Sequence, residues 1–135
     1  MGLARYYERV MRRLDHERLR VYRVSLDFLT HAHALIADFP RGHSSLADQL
    51  SRAASSVCLN IAEGAGEFSA LEKARFYRIA RRSATECAAI LDVCAVLRLH
   101  AEDRLATGRA LLVEVVSILT ALVNRNRGSG QRSSE

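Results

Sequence analysis

A single proline, Pro40, interrupts the 135 residues of this chain, and only seven glycines accompany it. With so few positions that break helical backbone, and with Ala, Leu and Arg abundant and Trp absent, the sequence favours long helices over strands. Its length suits one domain, and an apolar content of 49% is enough for one continuous core.

Periodicity places four helices. Apolar residues recur at Leu19, Tyr22, Leu26, Leu29 and Ile36, with a second stripe at Val21, Phe28, Ala32, Leu35 and Phe39, the broad buried face of a bundle helix. This helix is expected to end near Phe39, where Pro40 and Gly42 stop it, and Ser44 or Ser45 is placed to cap the next. The second helix carries Leu46, Leu50, Ala53, Val57 and Ile61, with Ala54, Cys58 and Ala62 beside them, before Gly64 and Gly66 let the chain turn. Its small residues Ala53, Ala54, Ser55 and Ser56 predict a close approach to neighbouring helices.

Ser69 followed by Glu72 forms a capping-box pattern at the start of the third helix. Its core face is read as Phe76, Ile79, Ala80, Ser83, Cys87, Ile90, Leu91, Cys94 and Leu97. A fourth helix begins near Glu102 with Leu105, Leu112, Val115, Val116, Leu119, Leu122 and Val123, and Gly108 is tolerated in it at some cost. Short connections imply antiparallel neighbours, so the expected fold is all-α, an antiparallel up-down-up-down four-helix bundle over residues 16–126. Residues 1–15 form an N-terminal extension, helical by the pattern Leu3, Tyr6, Tyr7, Val10 and Leu14, that docks on a neighbouring subunit or an anionic surface. The Gly-, Ser- and Arg-rich residues 127–135 are expected to be a disordered tail.

A formal charge of +5 points to an anionic partner, because a basic surface draws in phosphate-rich polymers before any specific contact forms. Nineteen of the twenty basic residues are Arg and the other is Lys73, a bias that suits phosphate recognition and a GC-rich genome equally. Cys58, Cys87 and Cys94 lack CxxC spacing, which suggests neither a disulfide framework nor a zinc site and favours a reducing, cytoplasmic setting. No run of eighteen apolar residues occurs, so no transmembrane segment is expected. His31 and His33 point to different sides of a helix and make no metal pair; His33 follows the core spacing.

Two sets of polar residues stand out. In a hairpin of the second and third helices, Arg52 lies opposite Ser83 and Glu86, where a guanidinium–carboxylate pair would fix the helix register. Asn60 and Glu63 share a face and have three candidate partners: the next helix's N-terminus, a neighbouring subunit or a ligand; otherwise they cap the hairpin. These five residues read as a structural polar network, since no nucleophile or metal-ligand set converges there. Arg75, Arg78, Arg81 and Arg82 form a basic stripe on the outer face of the third helix. The stripe is either a nucleic-acid-binding surface or a solvated or interface face paired with Glu67, Glu72 and Glu86.

The runs Gln49–Val57, Asn60-Ile61-Ala62-Glu63-Gly64 and Phe76–Glu86 resemble the bacterial four-helix-bundle family of 23S rRNA intervening-sequence proteins, with Asn-Ile-Ala-Glu-Gly as its hallmark. The resemblance extends from about Leu19 to Val123. It implies a cytoplasmic homopentamer with no established enzymatic activity and no cofactor. Phe39-Pro40-Arg41-Gly42-His43 and Leu122-Val123-Asn124-Arg125 look similar to a related branch, the accessory variability determinant proteins of diversity-generating retroelements, which partner a reverse transcriptase and nucleic acid. The expected function is therefore a non-enzymatic homo-oligomeric adaptor binding RNA, DNA or a nucleic-acid enzyme through repeated basic surfaces. The alternative is a structural or protein-interaction module with no nucleic-acid binding of its own.

Overall fold

Four helices each bury a row of residues spaced alternately three and four apart. In the computed structural model, which describes the backbone of residues 14–133 and the side chains of residues 14–129, these are α1 (Arg20–Ala37), α2 (Ser44–Gly66), α3 (Ala70–Val96) and α4 (Glu102–Ser133). The rows are Val21, Ser25, Phe28, Ala32 and Leu35 in α1; Ala47, Leu50, Ala54, Val57, Ile61 and Gly64 in α2; Tyr77, Ala80, Ala84, Cys87, Leu91 and Cys94 in α3; and Leu105, Gly108, Leu112, Val115, Leu119 and Leu122 in α4. A repeat of seven residues in two turns is the signature of helices packed at a shallow angle of about 20°. α1 packs on α2 and α4, and α3 packs on α2 and α4, with no contact across either diagonal, which gives the antiparallel up-down-up-down bundle. Among the described residues there is no strand.

Polar pins set the register of this bundle. The Cys58 thiol donates to the Ser25 carbonyl at 3.4 Å, joining α2 to α1. His31 donates from Nε2 to the Arg104 carbonyl at 2.6 Å and His100 from Nε2 to the Leu35 carbonyl at 2.8 Å, joining the end of α1 to the α3–α4 turn and the start of α4. Arg104 also pairs with Asp38 at 2.8 Å, and Arg20 with Glu114.

Several expectations are corrected. α1 ends at Ala37 and α2 begins at Ser44 with His43 as its cap residue, so neither Ser44 nor Ser45 caps it: both lie already inside the helix. Half of the capping box forms: Ser69 Oγ accepts from the Glu72 amide, but the Glu72 carboxylate turns outward to Arg75 at 3.2 Å. On α3 the aromatic core residue is Tyr77, 3% exposed, because Tyr77 and not Phe76 lies in phase with Ala80, Ala84 and Cys87, while Leu97 lies beyond the helix and is exposed. His33 is exposed, and it is His31, facing α4, that is half-buried. Gly108 leaves room for this contact, since a Cβ there would stand 3.1 Å from both His31 Cδ2 and Leu91 Cδ1.

α4 continues as helix to Ser133 where a disordered tail is expected; Asn126 and Ser129 donate back to the carbonyls of Leu122 and Arg125, one turn earlier. The N-terminal extension falls almost wholly outside the described residues, which begin at Leu14 and Asp15. Between it and α1 a short 3-10 helix, Asp15–Arg18, packs on α2, with Glu17 buried and accepting from the Leu14 amide. By length and composition alone, Glu102–Ser129 is long and apolar enough to cross a membrane, and about a quarter of its apolar window is buried in the bundle.

Candidate nucleic-acid interface

The α2–α3 hairpin supports both sets of polar residues picked out above. At its closed end Gly64 meets the Tyr77 ring, and Lys73 folds back to donate to the carbonyls of Ala65 at 2.8 Å and Gly64 at 3.3 Å. The only lysine of the chain thereby caps the C-terminus of α2, satisfying the Ala65 carbonyl and sharing that of Gly64 with the Glu67 amide, where the helix dipole is negative. Glu63 is exposed and takes no part in this cap; Lys73 performs the hairpin capping that is one of the alternatives for Asn60 and Glu63.

Mid-hairpin, two of the five network residues, Asn60 and Ser83, join a polar bridge centred on Ser56. Ser56 Oγ lies 2.8 Å from Ser83 Oγ across the two helices, and Asn60 Nδ2 donates to Ser56 Oγ at 3.0 Å and to its carbonyl at 2.9 Å. Ser56, a small residue in the stripe where α2 closely approaches its neighbours, is the hub. Its place one turn before Asn60 on the same helix face is the signal for it. Arg52 and Glu86 are both exposed and make no ion pair; with Gln49, Ser56 and Ser83 they line an open cleft of about 490 Å³. Two solvated charges gain little from pairing across such a cleft, and the half-buried hydroxyl pair joins the two helices instead.

Arg75, Arg78, Arg81 and Arg82 are all exposed on α3, as expected. They are not equivalent. Arg75 is held by Glu72 and lies 5.3 Å from the Phe76 ring centroid, whereas Arg78, Arg81 and Arg82 have no acidic partner among the described residues. Neither Glu67 nor Glu86 lies within ion-pair distance of these arginines, although Glu86 stands one turn from Arg82. Arg78 and Arg81 also form one wall of a cleft of about 270 Å³ whose other wall is Thr120, Val123, Asn124 and Arg127 of α4.

A second surface adjoins the stripe. The exposed residues Ala106, Ala110, Val113, Ser117 and Ala121 follow one another along a single side of α4 without a charge, and Val113 is 56% exposed. Beside them Ala88, Leu112 and Val116, with Thr85 and Arg109 at its margins, line a shallow, mainly apolar groove of about 200 Å³ between α3 and α4. The three cysteines, by contrast, are buried and free; burial raises their pKa values, that of Cys87 to about 12, so none is a reactive thiolate near neutral pH. Among the described residues no three His, Cys, Asp or Glu side chains gather as a metal site.

The model of the family described as 23S rRNA-intervening sequence protein matches residues 17–121. The chain belongs to that family. A search of curated proteins finds no match. Within the 23S rRNA-intervening sequence protein family match lie the hairpin, with its Asn-Ile-Ala-Glu-Gly run in the last turns of α2, and the whole arginine stripe. Asn124 and Arg127, which complete the second wall of the arginine cleft, lie beyond the matched span.

Proposed function

We propose that this family member is a non-enzymatic homo-oligomeric adaptor that binds structured nucleic acid through basic surfaces repeated by assembly. The observation that carries the reading is the run Arg78, Arg81 and Arg82, three exposed guanidinium groups on one side of α3 with no acidic partner among the described residues. Guanidinium groups bind phosphate oxygens through paired hydrogen bonds, and a chain of net charge +5 attracts a polyanion at long range. The uncharged side of α4 supports subunit contact, since small side chains let helices of two copies approach closely. In a pentamer the arginine surface is presented five times, which turns a weak phosphate contact into multivalent binding. A nucleic-acid enzyme, such as a reverse transcriptase, bound to the same polymer is the protein partner such an adaptor would serve, in the reducing cytoplasm that suits three free thiols.

The test is a salt series with RNA and duplex DNA. Binding is expected to weaken steeply as salt rises, and Arg78→Glu with Arg82→Glu is expected to weaken it and flatten that dependence, each lost phosphate contact removing about 0.7–0.9 from the log–log slope. Salt-insensitive or absent binding contradicts the proposal. A second reading, a protein-interaction module, is favoured by the exposed apolar residues Phe68, Leu71, Val96 and Leu97 at the two ends of α3. It predicts one stoichiometric protein partner that survives nuclease treatment.

A further inference from the structure

Three arginines, Arg78, Arg81 and Arg127, line the cleft between α3 and α4 together with the buried Val123. On α4 the lining residues Thr120, Asn124 and Arg127 stand at intervals of four and three, so they share one face, and Arg78 and Arg81 stand three apart on the antiparallel α3. Among the described residues no carboxylate pairs with any of these arginines. Three like charges converging on one cleft repel each other, and an anion seated between them relieves that repulsion. Their planar forks suit the oxygens of a phosphate.

Thr120 narrows the ligand further. Its hydroxyl donates to the Val116 carbonyl at 2.8 Å, and in that arrangement its oxygen presents lone pairs to a ligand. A phosphodiester carries acceptors only and has nothing to give such an oxygen. The DNA backbone likewise has no donor. An RNA backbone has one at every sugar, the ribose 2′-hydroxyl. We infer that this cleft seats one backbone unit of RNA, its phosphate held by Arg78, Arg81 and Arg127 and its 2′-hydroxyl donating to Thr120 Oγ1. The inference rests on the nucleic-acid-binding function proposed above and adds to it a place, two residues outside the α3 stripe and a preference for RNA over DNA.

The experiment compares the full-length chain and its variants by fluorescence anisotropy with labelled RNA and DNA hairpins of one sequence, every variant being checked for an unchanged thermal melt. The natural chain is expected to bind the RNA hairpin more tightly. Arg81→Gln with Arg127→Gln is expected to weaken RNA binding about tenfold or more, whereas Arg41→Gln with Arg98→Gln, an equal loss of charge at the opposite end of the bundle, has a much smaller effect. Thr120→Val, which keeps the shape and removes the acceptor, is expected to lower RNA affinity to the DNA level and leave DNA affinity unchanged. Equal affinity of the natural chain for the two hairpins, or an Arg81/Arg127 variant no weaker than the Arg41/Arg98 control, overturns the cleft while leaving a nucleic-acid-binding stripe in place. Displacement of the RNA by polyglutamate at equal charge concentration also overturns it, by showing a general anion site. Absence of binding to either hairpin removes the stripe and the cleft together.

Discussion

A methyl group on Gly64 would stand 2.7 Å from Cε1 of Tyr77 and 2.8 Å from Cδ1. The glycine of the Asn-Ile-Ala-Glu-Gly run is thus a socket: it lets the largest core side chain of α3 pack directly against the backbone of α2 near its C-terminal end. Gly64→Ala gains up to about 1 kcal/mol of helix propensity but overpacks this contact at a cost of about 1–3 kcal/mol. The expected outcome in urea denaturation is a net loss of about 1 kcal/mol, set against Gly66→Ala. Nothing lies within 4 Å of a Cβ at Gly66, so that variant is expected to be neutral or stabilising by up to about 1 kcal/mol. Equal effects of the two substitutions would contradict the socket.

The turn after α3 carries a different backbone strain. Arg98 has φ of 55°, its amide donates to the Ala95 carbonyl and the Leu99 amide donates to the Cys94 carbonyl, the paired bonds of a Schellman C-cap. Glycine is the usual residue there because an L side chain in this conformation costs about 1 kcal/mol. Arg98→Gly is expected to raise the urea midpoint by the equivalent of about 1 kcal/mol, and Arg98→Val to lower it. A loss of stability in Arg98→Gly would show that the arginine side chain holds the turn.

Alkaline pH is expected to destabilise the bundle through its thiols. Desolvation by burial, with the Glu86 charge adding to it, raises the Cys87 pKa from 9.0 to about 12, and burial moves Cys58, Cys94 and Tyr77 in the same direction. Below pH 9 these groups are protonated in both states; above it the unfolded chain releases protons that the folded chain retains, so stability falls until the folded thiol also ionises near pH 12. For Cys87 alone the loss across that window is on the order of 4 kcal/mol. Urea midpoints measured at several pH values from neutral to alkaline should decline, with a shallower decline in Cys87→Ala; a flat profile above pH 9 would contradict burial of these thiols.

The helices and their order were legible in the spacing of apolar residues, because a long helix must show a continuous stripe. Phase was harder to read. Phe76 and Tyr77 are adjacent aromatics, and only the 3-4 spacing through Ala80, Ala84, Cys87, Leu91 and Cys94 selects Tyr77 for the core. The arginine stripe was legible as well, since residues on one helix keep their angular relation whatever surrounds them. What escaped were groups whose roles depend on the packing of two helices: Ser56 as hub of the hydroxyl bridge, Lys73 as the α2 cap, and Thr120 and Arg127 as the far wall of the cleft. Each is set by the α2–α3 or α3–α4 register, which propensity and period leave open.

Sedimentation of the full chain with and without a structured RNA, at low and high salt, tests most directly whether function lies on surfaces repeated by assembly. The account predicts a species near five times the 15.0 kDa chain that takes up RNA as a unit at low salt and releases it, still assembled, at high salt. A species that remains at 15.0 kDa, or an assembly whose sedimentation RNA does not change, would contradict it.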